Sequence, residues 1–155
     1  MMRQYFVWGE MRADLAAPAS GANADLKALN NGEITTTNSF TDWASFYEVI
    51  NQCNTVIELA PQVLEKDASF SQEQLDAYIA EVTCIRSLMY FYLVRTFRDV
   101  PYVEEASIYD YQEFSIPKTD GKQIIDKLIA SLKAVENDIP VKYDDTEEAR
   151  SSNSD

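Results

Sequence analysis

The sequence predicts an all-α fold of helical hairpins joined by long loops, and two apolar patterns with one linker support this prediction. Between residues 71 and 97, apolar side chains recur at steps of three and four, which places them on one face of an α-helix. These positions are Leu75, Tyr78, Ile79, Val82, Ile85, Met89, Tyr90, Leu93 and Phe97. Residues 43–57 repeat the pattern, and the polar segment 61–70 joins the two helices. Such a pair is a hairpin of the tetratricopeptide kind, although no strict repeat of about 34 residues is visible.

The ends of the longest predicted helix are specified by particular residues. Ser71 and Gln74 have the spacing of a capping box, in which each side chain bonds to the backbone N–H of the other residue. Asp99 and Pro101 end the helix, because proline disfavours the α conformation in the residue before it and lacks a backbone N–H. We therefore expect a helix that begins within one residue of Ser71 and ends near residue 97.

Three other segments show helical spacing. The first segment is residues 2–15, and its inward-facing side chains are expected to be Phe6, Val7, Trp8, Met11 and Leu15. The second, residues 43–57, directs inward Trp43, Phe46, Tyr47, Ile50, Cys53, Asn54 and Ile57. The last, residues 120–139, directs inward Ile124, Ile125, Leu128, Leu132, Val135 and Ile139. Pro61 and Pro140 are expected to end the latter two helices.

Short polar residues mark the starts of two of these helices, and polar segments mark the loops. Ser39 or Thr41 is expected to cap the second helix, and Thr119 or Asp120 the fourth. Residues 16–39 are rich in Gly, Pro, Asn, Ser and Thr and are expected to form a loop, either a binding loop or a mobile one.

A helical turn is expected inside that loop at residues 25–29. After Pro101 a second loop carries several aromatic side chains. Residues 141–155 are acidic and serine-rich, and we expect a disordered tail there. The folded domain is therefore expected to cover residues 1–140.

Charge and hydropathy exclude several classes of function. The chain of 155 residues has 26 acidic and 13 basic side chains, a net charge of −13, which disfavours binding to nucleic acid and to anionic lipid. No apolar run reaches about 18 residues, so we expect no transmembrane helix. The N-terminus lacks the charged and then apolar pattern of a signal peptide.

The usual catalytic and metal-binding motifs are missing from the sequence. Histidine is absent, which removes the commonest general base and zinc ligand. Neither H-E-x-x-H nor C-x-x-C occurs, and the four glycines form no phosphate-binding pattern. The sequence therefore predicts no metal, no cofactor and no enzymatic activity.

The two cysteines are expected to remain free thiols. Cys53 lies on the buried stripe of its helix, whereas Cys84 lies about 180° from the stripe of its own helix. Side chains so placed do not face each other, so free thiols are favoured over a disulfide.

Two stretches carry the most specific signal in the chain. Residues 43–58 read W-A-S-F-Y-E-V-I-N-Q-C-N-T-V-I-E, and residues 80–101 read A-E-V-T-C-I-R-S-L-M-Y-F-Y-L-V-R-T-F-R-D-V-P. Together they resemble the SusD/RagB family of outer-membrane lipoproteins, which help Bacteroidetes-type bacteria to capture nutrients. The chain departs from the family pattern at Arg98, where glycine is usual, at Ser87, where alanine is usual, and near residues 130–132.

The resemblance implies a fold, a function and a location. Residues 1–140 would form a SusD-like N-terminal helical domain, in which Trp43, Glu81 and Arg86 have structural roles. The protein would bind oligosaccharide or another nutrient and hand it to a SusC-like TonB-dependent transporter without catalysis. It would be a surface-exposed lipoprotein of the outer membrane, held by a lipid anchor that is absent from this chain. The alternative is a generic helical-repeat domain for protein–protein interaction.

Two features of the longest helix require contacts with other parts of the fold. Arg86 lies within the apolar stripe, where an unpaired guanidinium is costly, so we expect a carboxylate or carbonyl oxygens beside it. Residues 88–94 are apolar on every side and therefore need cover all round. We expect the chain to behave as the N-terminal part of a larger fold.

Ligand contacts are expected from aromatic side chains on loops, because flat rings pack well against the C–H faces of sugars. Tyr102, Tyr109 and Tyr111 are the candidates on the second loop, and Asp14 is a polar candidate before the first. The helical positions of the two tryptophans favour core packing over ligand contact.

Overall fold

The structure, a computed structural model, describes residues 2–108 and 115–139. Its elements in chain order are α1 (Met2–Phe6), a π-helical turn (Val7–Met11), α2 (Ala24–Asn30), a 3₁₀ turn (Ser39–Thr41), α3 (Ala44–Leu59), α4 (Pro61–Leu64), α5 (Gln72–Phe97), β1 (Val100–Pro101), β2 (Lys118–Thr119) and α6 (Gly121–Val135). The two short strands pair antiparallel, with Val100 opposite Thr119. The predicted all-α class is confirmed.

Helix α5 lies at the centre of the fold, because α3 packs on one part of its surface and α6 on another. α3 and α5 form the predicted hairpin, and the linker between them contains α4. The largest apolar side chains that are at most 1% exposed come from these three helices and β1. They are Phe46, Ile50, Tyr90, Leu93, Val100 and Ile124.

The predicted capping box of α5 is confirmed. The Ser71 hydroxyl accepts a hydrogen bond from the Gln74 N–H at 3.2 Å, and Gln74 Oε1 accepts one from the Ser71 N–H at 2.9 Å. The helix ends at Phe97, as predicted.

The turn after α5 has an unusual backbone. Arg98 has φ 66° and ψ −80°, and the Asp99 N–H bonds to the Phe97 carbonyl at 2.9 Å, which is a γ-turn of the rare positive-φ form. Gly121 opens α6 against this turn, where a Cβ would lie 2.6 Å from the Arg98 carbonyl oxygen. Glycine is therefore required at position 121 for α6 to approach α5 so closely.

Replacing Arg98 by glycine is expected to stabilise the fold by about 1 kcal/mol. Strain at such a residue costs about 1–3 kcal/mol, which exceeds the entropic cost of glycine of about 0.5–1 kcal/mol. The exposed ion pair with Asp99 contributes little. Thermal melts should show a melting temperature about 2–4 °C higher.

Asp14→Gly is the matched control for this prediction, because Asp14 also has positive φ, 57°. Aspartate tolerates the left-handed region better than arginine does, so its replacement should change the melting temperature less. A lower melting temperature for Arg98→Gly would contradict the assignment of strain to this turn.

The prediction of one regular helix over residues 2–15 is wrong. After Phe6 the chain continues as the π-helical turn Val7–Met11, which has more residues per turn and so rotates the following side chains, and the helix ends there. Phe6 is 55% exposed and Leu15, beyond the helix, is 75% exposed, although both were expected inward. The other three predicted positions, Val7, Trp8 and Met11, are buried.

The predicted loop at residues 16–39 contains α2, which extends the helical turn predicted at residues 25–29. Asn23 caps this helix by accepting the Leu26 N–H at 2.9 Å. The buried Asn38 side chain donates to the Asp25 carbonyl at 2.9 Å. Hydrogen bonds thus hold the end of the loop against α2.

The predicted cap of α3 is wrong, whereas that of α6 is confirmed. Ser39 and Thr41 form their own 3₁₀ turn, and Asp42 Oδ1 instead accepts the first backbone N–H of α3 at 2.9 Å. Asp120 caps α6 by accepting two backbone N–H groups, at 3.0 and 3.2 Å. α6 ends at Val135, earlier than predicted, and residue 140 lies outside the described residues.

The buried face of α5 differs in part from the predicted stripe. Arg86, expected within the stripe, is buried as predicted. Tyr78 and Ile85, however, are 41% and 38% exposed, whereas the polar residues Thr83 and Ser87 are buried. The reason is that α5 packs against α3 and α6 at once, so the face between them is covered even where it is polar. The apolar period alone does not include those positions.

An apolar groove lies between α5 and α6 and has a volume of about 420 Å³. This α5/α6 groove is lined by Cys84, Ser87, Leu88, Phe91, Ile125, Leu128, Ile129 and Leu132. Leu88 and Phe91 are each 47% exposed, so the described residues leave one side of the apolar segment 88–94 uncovered. The Ser87 hydroxyl, buried at this groove, has no hydrogen-bond partner in the described part of the chain.

By length and composition alone, α5 is long and apolar enough to cross a membrane. The core helix of a globular protein has the same two properties, and α5 is the central helix of this fold. This finding therefore assigns no membrane span.

Candidate functional site

The segment that follows β1 crosses α3 and is held by polar side chains of that helix. Asn54 Nδ2 donates to the carbonyls of Val103 and Glu105, each at 3.1 Å. Asn51 Oδ1 accepts the Ser107 N–H at 2.6 Å. Residues 102–107, the crossing segment, thus have their backbone fixed by two asparagines one turn apart on α3.

Helix α5 holds the same segment from its other side. The Tyr90 hydroxyl accepts the Val103 N–H at 2.8 Å and lies 3.1 Å from the Val103 carbonyl, to which it donates. Burial raises the pKa of Tyr90 well above its usual range, because the charged phenolate is poorly solvated there. The crossing segment is therefore rigidly placed relative to both helices.

Arg86 completes this network at its buried end. Its Nη1 donates to Asn54 Oδ1 at 2.8 Å, and the residue is only 8% exposed. Of the two partners expected from the sequence, the carbonyl oxygen is the one observed, here in a side-chain amide. No carboxylate in residues 2–108 or 115–139 forms an ion pair with it. The guanidinium fixes the orientation of the amide, which in turn holds Val103 and Glu105.

A cavity of about 320 Å³ opens between α3 and the crossing segment. This α3 cavity is lined by Trp43, Tyr47, Ile50, Asn51, Asn54, Pro101, Val103, Ser107 and Ile116. Its volume lies at the lower end of the range of about 300–1,000 Å³ for small-ligand sites. Its α3 side carries the aromatic side chains Trp43 and Tyr47 and then the amides Asn51 and Asn54 along the same helix, which is a combination suited to a saccharide.

The two aromatic side chains of the cavity are held in place by packing. Trp43 is partly buried, and its ring contacts Phe97 edge-on with centroids 5.3 Å apart, while Lys118 Nζ lies 5.7 Å from its centroid. The Tyr47 hydroxyl donates to the Pro101 carbonyl at 2.6 Å. Burial raises the pKa of Tyr47 above its usual range, so this donor also stays protonated.

The two amides of the cavity differ in what they can offer a ligand. Asn54 has both ends engaged, by Arg86 and by two carbonyl oxygens. Asn51 uses its oxygen for the Ser107 N–H, but its Nδ2 makes only a long contact of 3.5 Å with the Ser107 carbonyl. Asn51 Nδ2 is therefore the amide donor that a ligand hydroxyl can engage.

The ligand residues predicted from the sequence do not come together in the described structure. Tyr102 is not among the residues that line the α3 cavity. Its ring packs on Tyr90 with centroids 4.8 Å apart, and burial raises its pKa to about 12. Asp14 is exposed on the turn after the π-helical segment. Tyr109 and Tyr111 lie outside the described residues. Their proposed ligand roles remain predictions.

The three residues assigned structural roles have different surroundings. Trp43 packs against the core and also lines the α3 cavity. Arg86 is buried in the network with Asn54. Glu81 is exposed on α5. Both cysteines are free, as predicted, with Cys53 buried.

Sequence reasoning missed Asn51 as a candidate. The available signal was an asparagine at each of two positions one turn apart, Asn51 and Asn54, beside the apolar face of a helix. Buried amides require partners, and such a pair marks where an irregular backbone crosses a helix.

Comparison with known proteins settles the family. Residues 6–154 match a SusD-like family described as starch-binding and associating with the outer membrane. The chain belongs to the SusD-like family. The resemblance read from the sequence is therefore confirmed. The match runs past residue 140, and the division of the chain there remains a prediction.

Several relatives resemble this SusD-like chain over most of its length. The SusD-like protein P2 of Formosa agariphila is 27% identical over 134 residues, which are 84% of this chain and 25% of that protein. A SusD superfamily protein of Bacteroides thetaiotaomicron is 30% identical with a TM-score of 0.71, over 92% of this chain and 35% of its own. A laminarin-binding SusD-like protein shares the fold, with 24% identity and a TM-score of 0.68, over 84% of this chain and 27% of its own. The chain thus spans about a third or less of each relative.

Proposed function

We propose that this SusD-like chain contributes a saccharide-binding surface to an outer-membrane uptake system. In this proposal the protein binds oligosaccharide and hands it to a SusC-like TonB-dependent transporter, with no bond made or broken. The α3 cavity carries the proposal, because it combines the aromatic side chains of Trp43 and Tyr47 with the Asn51 amide donor, which makes only a long contact of 3.5 Å with the Ser107 carbonyl. The family description as starch-binding, and a relative that binds laminarin, support a glucan as ligand.

The geometry supports binding by a preformed surface. One sugar ring of an oligosaccharide stacks on Trp43, while Asn51 Nδ2, two turns or about 12 Å further along α3, donates to a hydroxyl of another ring. Both residues are already held by packing and by the crossing segment, so little conformational entropy is lost when a ligand binds. A small cavity gives modest affinity, and modest affinity suits a protein that must release its ligand to a transporter.

The proposed location is the outer membrane, since the family is described as associating with it. Exposure at the cell surface through a lipid anchor, and partnership with a SusC-like transporter, are further parts of this proposal. In this arrangement the helical chain lies outside the bilayer and contacts the membrane only through the anchor.

A second candidate function is a helical-repeat domain that binds another protein. The observation in its favour is the α5/α6 groove, where Leu88, Phe91 and Ile129 are each about half exposed. Contiguous apolar surfaces of this kind often mark protein-binding sites.

We expect starch- and laminarin-derived oligosaccharides to bind this chain with a Kd no tighter than millimolar, about −4 kcal/mol, because the cavity covers only part of such a ligand. A full-length SusD-like relative should bind in the micromolar range, about −8 kcal/mol. Calorimetry on both proteins with the same oligosaccharides measures the difference. Asn51→Ala and Trp43→Ala should each abolish detectable binding to the short chain.

Tyr102→Phe is the control for that experiment, because Tyr102 is not among the residues that line the cavity. If only this variant loses binding, the ligand site lies at Tyr102, on the other side of the crossing segment from the α3 cavity. If a full-length relative captures a protein and no glycan, the interaction-domain alternative is favoured instead.

A further inference from the structure

A second cavity, of about 250 Å³, lies where the π-helical turn meets the end of α5. Its lining residues are Trp8, Gly9, Arg12, Ala13, Arg95 and Thr96. Arg12 comes from the N-terminal segment and Arg95 from the last turn of α5, so the fold brings two guanidinium groups to one cavity from distant parts of the sequence.

Neither arginine of this cavity is neutralised by the described part of the chain. The ion pairs there involve Arg98, Lys122 and Lys127, and none involves Arg12 or Arg95. Both side chains are exposed to solvent, and the chain has twice as many acidic as basic side chains, 26 against 13.

The positions of the two arginines are only partly explained by the fold. Each lies at the C-terminal end of a helical segment, where the helix dipole favours a cation. That effect accounts for each arginine alone, whereas two like charges lining one cavity repel each other, an effect that solvent screens at these exposed positions. An anion between them removes this repulsion.

The side chains of the cavity suit an oxyanion, although the negative ends of two helix dipoles lie beside it. The guanidinium fork binds carboxylate or sulfate oxygens through parallel N–H donors, and Thr96 adds a hydroxyl. A Cβ built on Gly9 would meet nothing within 4 Å, so this side of the cavity is open to a ligand. The floor is rigid, because the Trp8 Nε1–H donates to the Phe40 carbonyl at 3.0 Å and the Trp8 ring stacks on Phe46.

We propose that the Arg12/Arg95 cavity binds the acidic group of an anionic saccharide, a carboxylate or a sulfate ester. The saccharide part of this inference rests on the proposed function, whereas the anion site itself does not. The α3 cavity does not supply this property, because none of the described residues that line it is basic.

The two tryptophans of the chain allow the two cavities to be observed separately. Trp8 lines the arginine cavity and Trp43 lines the α3 cavity. In ¹⁵N–¹H spectra each indole N–H gives its own signal, which a Trp43→Phe variant assigns. Sodium sulfate and sodium acetate should shift the Trp8 signal in a saturable way, at constant ionic strength, and leave the Trp43 signal in place.

Variants test which side chains bind the anion. Arg12→Gln and Arg95→Gln should each weaken sulfate binding about tenfold, since a charge-assisted bidentate contact is lost. Lys133→Gln is the control, because it removes the same charge from an exposed position on α6 that lines neither cavity. An equal loss with Lys133→Gln would overturn the proposal, as it would show only a response to net charge.

The saccharide arm of the experiment uses oligogalacturonate, its methyl ester and a sulfated oligosaccharide. Binding of either acidic oligosaccharide, but not of the ester, through Arg12 and Arg95 supports the proposal and identifies the acidic group. Binding of inorganic sulfate with neither acidic saccharide overturns it. If a neutral glucan shifts the Trp43 signal and no anion shifts the Trp8 signal, the proposed function stands and this inference is wrong. If anions shift the Trp8 signal and no glucan shifts the Trp43 signal, the anion site stands and the proposed glucan site is wrong.

Discussion

Replacing Asn54 by leucine is expected to lower the free energy of unfolding by about 3–5 kcal/mol, because it leaves the buried Arg86 guanidinium without its hydrogen-bond acceptor. Arg86 loses the amide oxygen at 2.8 Å that solvates its guanidinium, and the Val103 and Glu105 carbonyls lose their donor. Arg86→Met removes the charge itself and leaves only a neutral amide with an unused oxygen, so its cost should be smaller, about 1–3 kcal/mol. Urea unfolding of both variants measures these values.

A double-mutant cycle makes this prediction sharper. The effects of substitutions within one hydrogen-bond network on the free energy of unfolding are not additive. Asn54→Leu combined with Arg86→Met should therefore cost less than the sum of the two single substitutions. Asn51→Leu is the matched control, since it replaces the same residue type one turn earlier on α3, at the more exposed end of the network. A loss below about 1 kcal/mol for Asn54→Leu would mean that water reaches the Arg86 guanidinium.

Local signals explain which parts of the fold were predictable. The start of α5 depends on Ser71 and Gln74, three residues apart, so the sequence contains everything that fixes it. The cap of α6 by Asp120 is equally local. The π-helical turn Val7–Met11 is different, because no local motif marks it, and Trp8 within it contacts Phe40 and Phe46, more than 30 residues away.

The candidate sites depend on long-range contacts, which periodicity does not reveal. The sequence predicted that Arg86 needs an oxygen partner, but the partner, Asn54, lies 32 residues away on another helix. The α3 cavity forms only because the crossing segment returns about 50 residues later to Asn51 and Asn54. The aromatic loop residues were plausible candidates by composition, yet Tyr102 is turned toward α5 by its contact with Tyr90.

The exposed α5/α6 groove should make this chain associate with itself in solution and bind a hydrophobic dye. Phe91 and Leu88 are each 47% exposed beside Ile129, and burying one such side chain contributes about 1.5–3 kcal/mol. Phe91→Glu places a charge in the groove and should weaken association roughly tenfold to hundredfold, together with dye fluorescence. Sedimentation equilibrium measures the association.

Phe6→Glu is the control for this last prediction, since Phe6 is 55% exposed but lies outside the groove. The same charge introduced there should leave association and dye binding nearly unchanged. The prediction depends on the groove being open, with the Ser87 hydroxyl at its base lacking a partner in the described residues. A monomer that binds no dye would contradict it and would mean that residues beyond those described cover Leu88 and Phe91.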